Sequence, residues 1–246
     1  MKFDEKVASY LKDEAFSSSL YVPISGNERH VPDRLGIIEG LATGKNIIHL
    51  GCADHLSLIS KKIENNIWLH GRLRNCAKRC LGIDINREGI EYLRDRIGIN
   101  DLVCADLLND EVDEIKGNKW DYMVIGEVLE HLDNPELFLN NLRKKFKANI
   151  GKLIITVPNA FFWLNFRNAL AHRENINSQH YYWFSPYTLA KIIISSGMTP
   201  EDFRFCEPIP VRNDYKARLN IRLLIGKFLL KRFPALRETL VMVASL

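Results

Sequence analysis

No apolar run in this chain approaches the ~20 residues that a membrane-spanning helix needs, and its 246 residues contain no internal repeat and no low-complexity segment. Cysteine is scarce. There are five, an odd number; Cys76 and Cys80 stand one helical turn apart, not in a C-x-x-C pair, and Cys52, Cys104 and Cys206 are scattered. This excludes a disulfide framework and argues against zinc, so the reduced thiols of a cytoplasmic protein are expected. The opening MKFDEKVASYLKDEAF carries four acids and no apolar stretch, unlike a secretory signal. An excess of one charge is lacking too: 34 Lys and Arg against 30 Asp and Glu leave +4, too little to announce nucleic acid. Charge is concentrated instead, with seven basic residues and no acid from Tyr215 to Arg237.

What is present suits one large soluble α/β domain: 46% hydrophobic and 26% charged residues, in a chain long enough to bury a full core. Residues 1–44 read as an N-terminal helical extension, with a helix over Lys2–Phe16 and a second, N-capped by Asp33, over Arg34–Leu41. Residues 45–246 read as the main domain. Its organising stretch is Asn46–His55, a short apolar strand (Asn46–Leu50), a small-residue turn (Gly51, Cys52, Ala53) and a helix from about Asp54 to Ile63. Further strands are predicted at Cys80–Ile85, Asp101–Ala105, Trp120–Gly126, Lys152–Val157, Thr199–Cys206 and Thr239–Ala244. Helices are predicted over Arg72–Arg79, Arg87–Ile97, Asn134–Phe146 and Ser185–Ser196. Strands alternating with helices imply parallel βαβ units in a doubly wound sheet.

In such a sheet ligands bind beyond the carboxyl ends of the strands. Gly51, Asp84, Asp106 and the Gly126-Glu127 pair all fall at strand ends. A strand-to-helix turn of small residues lets backbone approach a ligand. A carboxylate at Asp84 can accept from both hydroxyls of a ribose, and one at Asp106 from an adenine amino group. The plainer alternative for each acid is a helix N-cap.

The series HLGCADH, GIDIN, CADL, WDYMVIGEVLEHLDNP and KLIITVPN resembles the class I S-adenosylmethionine-dependent methyltransferases, over about Arg34 to Gly197. It is most similar to the subgroup with a DxVxxxEVLEHxxxP signature, which includes small-molecule and glycan O-methyltransferases. The resemblance implies a Rossmann-like, doubly wound seven-stranded sheet, mostly parallel with an antiparallel last strand. It also implies a cofactor site: Gly51, Cys52, Ala53 and His55 at the methionine part, Asp84 and Ile85 at the ribose, Asp106 and Leu107 at the adenine, and Gly126 and Glu127 alongside. The turn departs from the family's acid-x-GxGxG: the acid's place is held by His49, and Ala53 and His55 stand for glycines. The ring of His55 would fill space that a glycine leaves open.

His131, His180 and Glu130 are the candidate acid/base residues, since methyl transfer to oxygen needs alignment and a base near neutral pKa. Their plainer role is to brace the next helix. Glu127, Glu130, His131 and His180 also look like the metal-binding set of small-RNA 2′-O-methyltransferases. The lack of a basic groove speaks against RNA, and no metal is expected. Tyr187-x-x-x-Lys191 matches the YxxxK of short-chain dehydrogenases but, without a glycine-rich nicotinamide turn, reads as a helix-surface pair. The aromatic segment 160–184 is expected to be divided between core and acceptor side. The basic amphipathic stretch 215–233 suits either packing on the sheet or peripheral contact with an anionic membrane. The expected function is O-methylation of a small-molecule, sugar or lipid-linked glycan acceptor. A metal-dependent RNA enzyme and an inactive nucleoside-binding scaffold are the alternatives.

Overall fold

The computed structural model describes residues 3–24, 33–207 and 230–246. Seven strands form one sheet: β1 (Asn46–Leu50), β2 (Arg79–Asp84), β3 (Leu102–Cys104), β4 (Trp120–Gly126), β5 (Ile150–Pro158), β6 (Thr199–Cys206) and β7 (Thr239–Ser245). Their order is β3-β2-β1-β4-β5-β7-β6. Only β7 runs antiparallel, paired with β5 on one side and β6 on the other. The chain leaves β1 outward to β2 and β3, then returns to β4, which lies against β1 in parallel register. That reversal opens a crevice between the ends of β1 and β4.

The helices are α1 (Glu5–Leu11), α2 (Arg34–Ala42), α3 (Leu56–Glu64), α4 (Leu69–Cys76), α5 (Arg87–Asp95), α6 (Asp113–Lys116), α7 (Pro135–Phe146), α8 (Trp163–Leu170) and α9 (Pro186–Ser195). Side chains alternate along β1: Ile47 packs with Leu35 and Ile38 of α2 and Leu73 of α4, whereas Ile48 and Leu50 join the core under α7 and α9. Asp33, Asn134 and Ser185 cap α2, α7 and α9 through backbone N–H groups three residues on.

Two expectations are corrected and one element is added. The first helix is α1 alone, ending at Leu11, because Lys191 Nζ donates to the carbonyls of Tyr10 and Leu11 at 3.1 and 3.0 Å and pairs with Asp13. That contact stops the helix and commits Lys191 to a structural role. The third helix begins at Leu56 rather than Asp54, since Asp54 takes a left-handed φ of +57°. Inside the aromatic segment an unforeseen helix, α8, forms. Of that segment's rings, Phe184 is buried, while Phe161, Phe166, Tyr181 and Tyr182 are exposed. Most of the basic stretch 215–233 lies outside the described residues. Among the described residues, no helix is long and apolar enough to cross a membrane.

Candidate active site

Beyond β1 the chain turns sharply at Gly51, whose φ of +78° suits glycine and where a Cβ would press on Val128 Cγ2 at 3.0 Å. Cys52 and Ala53 point inward and are fully buried. The left-handed position falls on Asp54, not on Ala53, so the missing second glycine carries no strain. Asp54 is held by the ion pair of its Oδ2 with Lys62 at 2.5 Å, and its Oδ1 accepts the His55 N–H at 2.6 Å. His55, the N-cap of α3, is exposed on the rim of the cleft.

The cleft over this turn has a volume of about 710 Å³, and its wall includes Gly51, His55, Asp84, Ile85, Gly126 and Glu127. Asp84 ends β2. Its Oδ2 accepts from Ala53 N and its Oδ1 from Asn86 N, both at 2.9 Å. Each oxygen keeps a lone pair for a further donor. Ile85 next to it is 72% exposed, an uncovered apolar surface at the mouth. Asp106 and Leu107 are not part of this wall. Asp106 instead closes its own loop, accepting from Leu108 N at 2.9 Å and Asn109 Nδ2 at 2.7 Å, and Leu107 is core. An acid after a strand serves a turn as readily as a ligand.

Glu127, just past β4, also adopts a left-handed φ, +55°. A non-glycine residue there costs on the order of 1 kcal/mol, and such strain persists only where the surroundings hold it. Here they do: Glu127 N donates to Thr156 O and Thr156 Oγ1 to Glu127 Oε1, both at 2.9 Å, while Arg34 pairs with Oε1 at 3.2 Å. The following turn buries Glu130 completely, with neither carboxyl oxygen hydrogen-bonded. His131 and His180 meet edge to face with centroids 4.6 Å apart. Glu130, His131 and His180 each offer an atom within 4.8 Å of the others. Burial, and then repulsion from Glu127, pushes the Glu130 carboxyl up to about 9, so it holds its proton at neutral pH. His180 is lowered by burial and then by His131, and its Nδ1 has no partner. Neutral imidazole beside protonated carboxyl can accept a proton.

A second cleft, of about 530 Å³, adjoins the first and shares Arg34, Glu127 and His180 with it. Its other walls include Phe162, Leu164, Asn165, Asn175, Trp183 and Glu238. Sequence reading missed Arg34, Trp68 and the amides of the aromatic segment. Only their place on α2, at the start of α4 and around α8 brings them to the site.

The methyltransferase domain family matches residues 29–200. No curated protein matches the sequence. Among solved structures, the chain is similar to the methyltransferase domain of bacterial CtHen1, with 18% identity over 89% of this chain and 99% of that one and a TM-score of 0.52. The magnesium protoporphyrin IX methyltransferase of Synechocystis PCC 6803, crystallised with bound S-adenosylhomocysteine, gives 11% identity over 85% and 77% and a TM-score of 0.50. A SAM-dependent methyltransferase from Archaeoglobus fulgidus gives 15% identity over 86% and 94% and a TM-score of 0.47. The turn at Gly51, the free lone pairs of Asp84 and the apolar shelf of Ile85 fit an adenosyl group. The chain belongs to the methyltransferase domain family, and its cofactor is S-adenosylmethionine.

Proposed function

We propose that this protein methylates a hydroxyl oxygen of a small-molecule, sugar or lipid-linked glycan acceptor. The observation that carries this reading is the grouping of Glu130, His131 and His180 on the wall of the cofactor cleft, within 4.8 Å of one another. When bound, the cofactor supplies an electrophilic methyl group on a sulfonium sulfur. The chain's own part is to hold the acceptor in line with it and to take the hydroxyl proton on an imidazole, His180 or His131. The second cleft supports the acceptor class, because aromatic faces beside the neutral amides of Asn165 and Asn175 suit a sugar ring. The cleft's cations are already engaged, Arg34 by Glu127 and Lys62 by Asp54. That favours an uncharged acceptor over a phosphate backbone.

One observation favours a second reading. The unpartnered Glu130 carboxyl beside two imidazoles is a donor set that fits a divalent transition metal. Glu127, bonded to Thr156 and Arg34, stands outside that group. A cation held there would activate the acceptor hydroxyl as a Lewis acid. The two readings part in one assay, transfer of labelled methyl from S-adenosylmethionine to a panel of hydroxyl acceptors with and without EDTA. Transfer that survives EDTA supports the imidazole base, and transfer abolished by EDTA and restored by Mn²⁺ supports the metal. No turnover with any hydroxyl acceptor contradicts O-methylation.

A further inference from the structure

The helix α8 is amphipathic in the reverse sense. Its amides face the protein: Asn168 is buried and accepts from Arg173 Nε at 3.2 Å, and Asn165 Nδ2 reaches the carbonyls of Asn159 and Ala160 at 3.4 and 3.5 Å. Its large apolar groups face out. Phe166 and Leu170, one turn apart on one face, are 68% and 67% exposed. Every residue from Ala169 to Gln179 is exposed as well, and Ile176 adds another uncovered apolar side chain. A surface helix ordinarily turns such residues inward, so the outer face of α8 suits an apolar medium.

Positive charge accompanies it. Arg167 and Arg173 follow Phe166 and Leu170 in the chain, and the Arg167 guanidinium lies over the Trp163 ring at 5.3 Å. Glu174, the acid next to Arg173, accepts the Trp183 indole N–H at 3.1 Å. A second cationic element is tied to the root of α8 by Asn159, whose Nδ2 donates to the carbonyls of Ala235 and Arg237 at 2.8 and 2.6 Å. Just before these come Lys231, Arg232 and Phe233, all exposed. They belong to the stretch Tyr215–Arg237, with its seven basic residues and no acid. The second cleft takes walls from both elements: Phe162, Leu164 and Asn165 at α8, and Glu238 and Thr239 after the turn Pro234–Leu236.

We propose that α8, together with Lys231–Phe233, docks this part of the protein on an anionic lipid bilayer. Phe166 and Leu170 enter the acyl boundary, and the cations meet headgroup phosphates. Composition pointed to the basic stretch alone; the apolar half of the contact comes from α8. A protein groove could cover the ridge, but the cations come from two separate chain segments, and a plane of anionic headgroups meets both at once. A lipid-linked member of the proposed acceptor class would then reach the second cleft from the bilayer. That consequence rests on the proposed function, whereas the docking surface does not.

The test is flotation of the full chain with vesicles of phosphatidylcholine and phosphatidylglycerol in roughly equal parts, against phosphatidylcholine alone. Wild type should float with the mixed vesicles and bind phosphatidylcholine at least about tenfold more weakly. The double variant Phe166→Ser, Leu170→Ser should bind the mixed vesicles at least about tenfold more weakly than wild type. The double variant Lys231→Glu, Arg232→Glu should also lose at least about tenfold. Thermal melts of both should match wild type, since all four side chains are exposed. Phe166→Trp, which keeps an apolar ring, should add fluorescence that lipids brominated on their acyl chains quench. Wild type that does not float, a Phe166, Leu170 variant that floats like wild type, or no added quenching in Phe166→Trp would overturn the proposal. So would a dimer in sedimentation that the Phe166, Leu170 variant dissolves, because the ridge would then belong to a second copy. Flotation needs neither cofactor nor turnover, so its failure leaves O-methylation standing, and failed methyl transfer leaves the docking surface standing.

Discussion

Asp84 and Ala53 are joined by a 2.9 Å hydrogen bond from the Ala53 backbone N–H to the Asp84 carboxylate. The end of β2 thereby fastens the turn that follows β1, and the carboxylate that shapes the turn also faces the cleft. On the proposed cofactor reading, one side chain would couple shape to binding, and the ligand would meet a pre-formed surface.

Gly82 should be the least replaceable glycine of the sheet. A methyl group there meets Leu102, His70 and Cys52 at 2.6–2.9 Å, so Gly82→Ala should cost about 1–3 kcal/mol in urea melts. Gly40→Ala is the control: nothing lies within 4 Å of its added Cβ on α2, and it should be neutral or stabilising by up to about 1 kcal/mol.

The chain should lose stability in acid through His49 and His70. Their folded-state values lie below the ordinary histidine value of 6.5, His49 at about 3. The unfolded chain therefore takes up protons first as pH falls. Stability present above pH 6.5 should drain away toward pH 3, at about 1.4 kcal/mol per pH unit from His49, with His70 adding to the loss in the same direction. His49→Phe should flatten this slope in chemical denaturation between pH 6.5 and 4, and an unchanged slope would count against buried neutral imidazoles.

Glu130 should act in the opposite sense. Its folded value near 9 lies above the ordinary 4.5, so its contribution is full below pH 4.5 and is lost as pH rises toward 9. Glu130→Gln keeps the shape without an ionisable group and should gain on wild type steadily across that window. A constant difference between the two proteins would contradict a protonated buried carboxyl.

How far the sequence foretold this depends on how local each signal was. The bounds of β1 and β4 fall where apolar runs meet turn residues, and α2, α7 and α9 start at the Asp, Asn and Ser that cap them. The helix α8 escaped notice because Phe166 and Leu170 face solvent and give it no inward apolar stripe. Lys191 stopping α1 and His70 stacking on His49 are long-range events with no local mark. Asp84 and Asp106 look alike in sequence, yet one faces the cleft and the other braces its loop. Only packing separates them.

Removing the imidazole at residue 180 should lower turnover without unseating the cofactor. His180→Ala should reduce kcat by roughly a hundredfold or more, with the affinity for S-adenosylhomocysteine held within a small factor. Full activity in this variant would remove His180 from the proton-transfer step.

The claim beneath all of these is that the cleft beyond β1, β2 and β4 is built for an adenosyl cofactor, with Asp84 on its wall. Titrating S-adenosylhomocysteine into wild type and Asp84→Ala by calorimetry tests it most directly. One-to-one binding by wild type, weakened at least tenfold in the variant, is the predicted result. No binding by wild type, or equal binding by both, would contradict it.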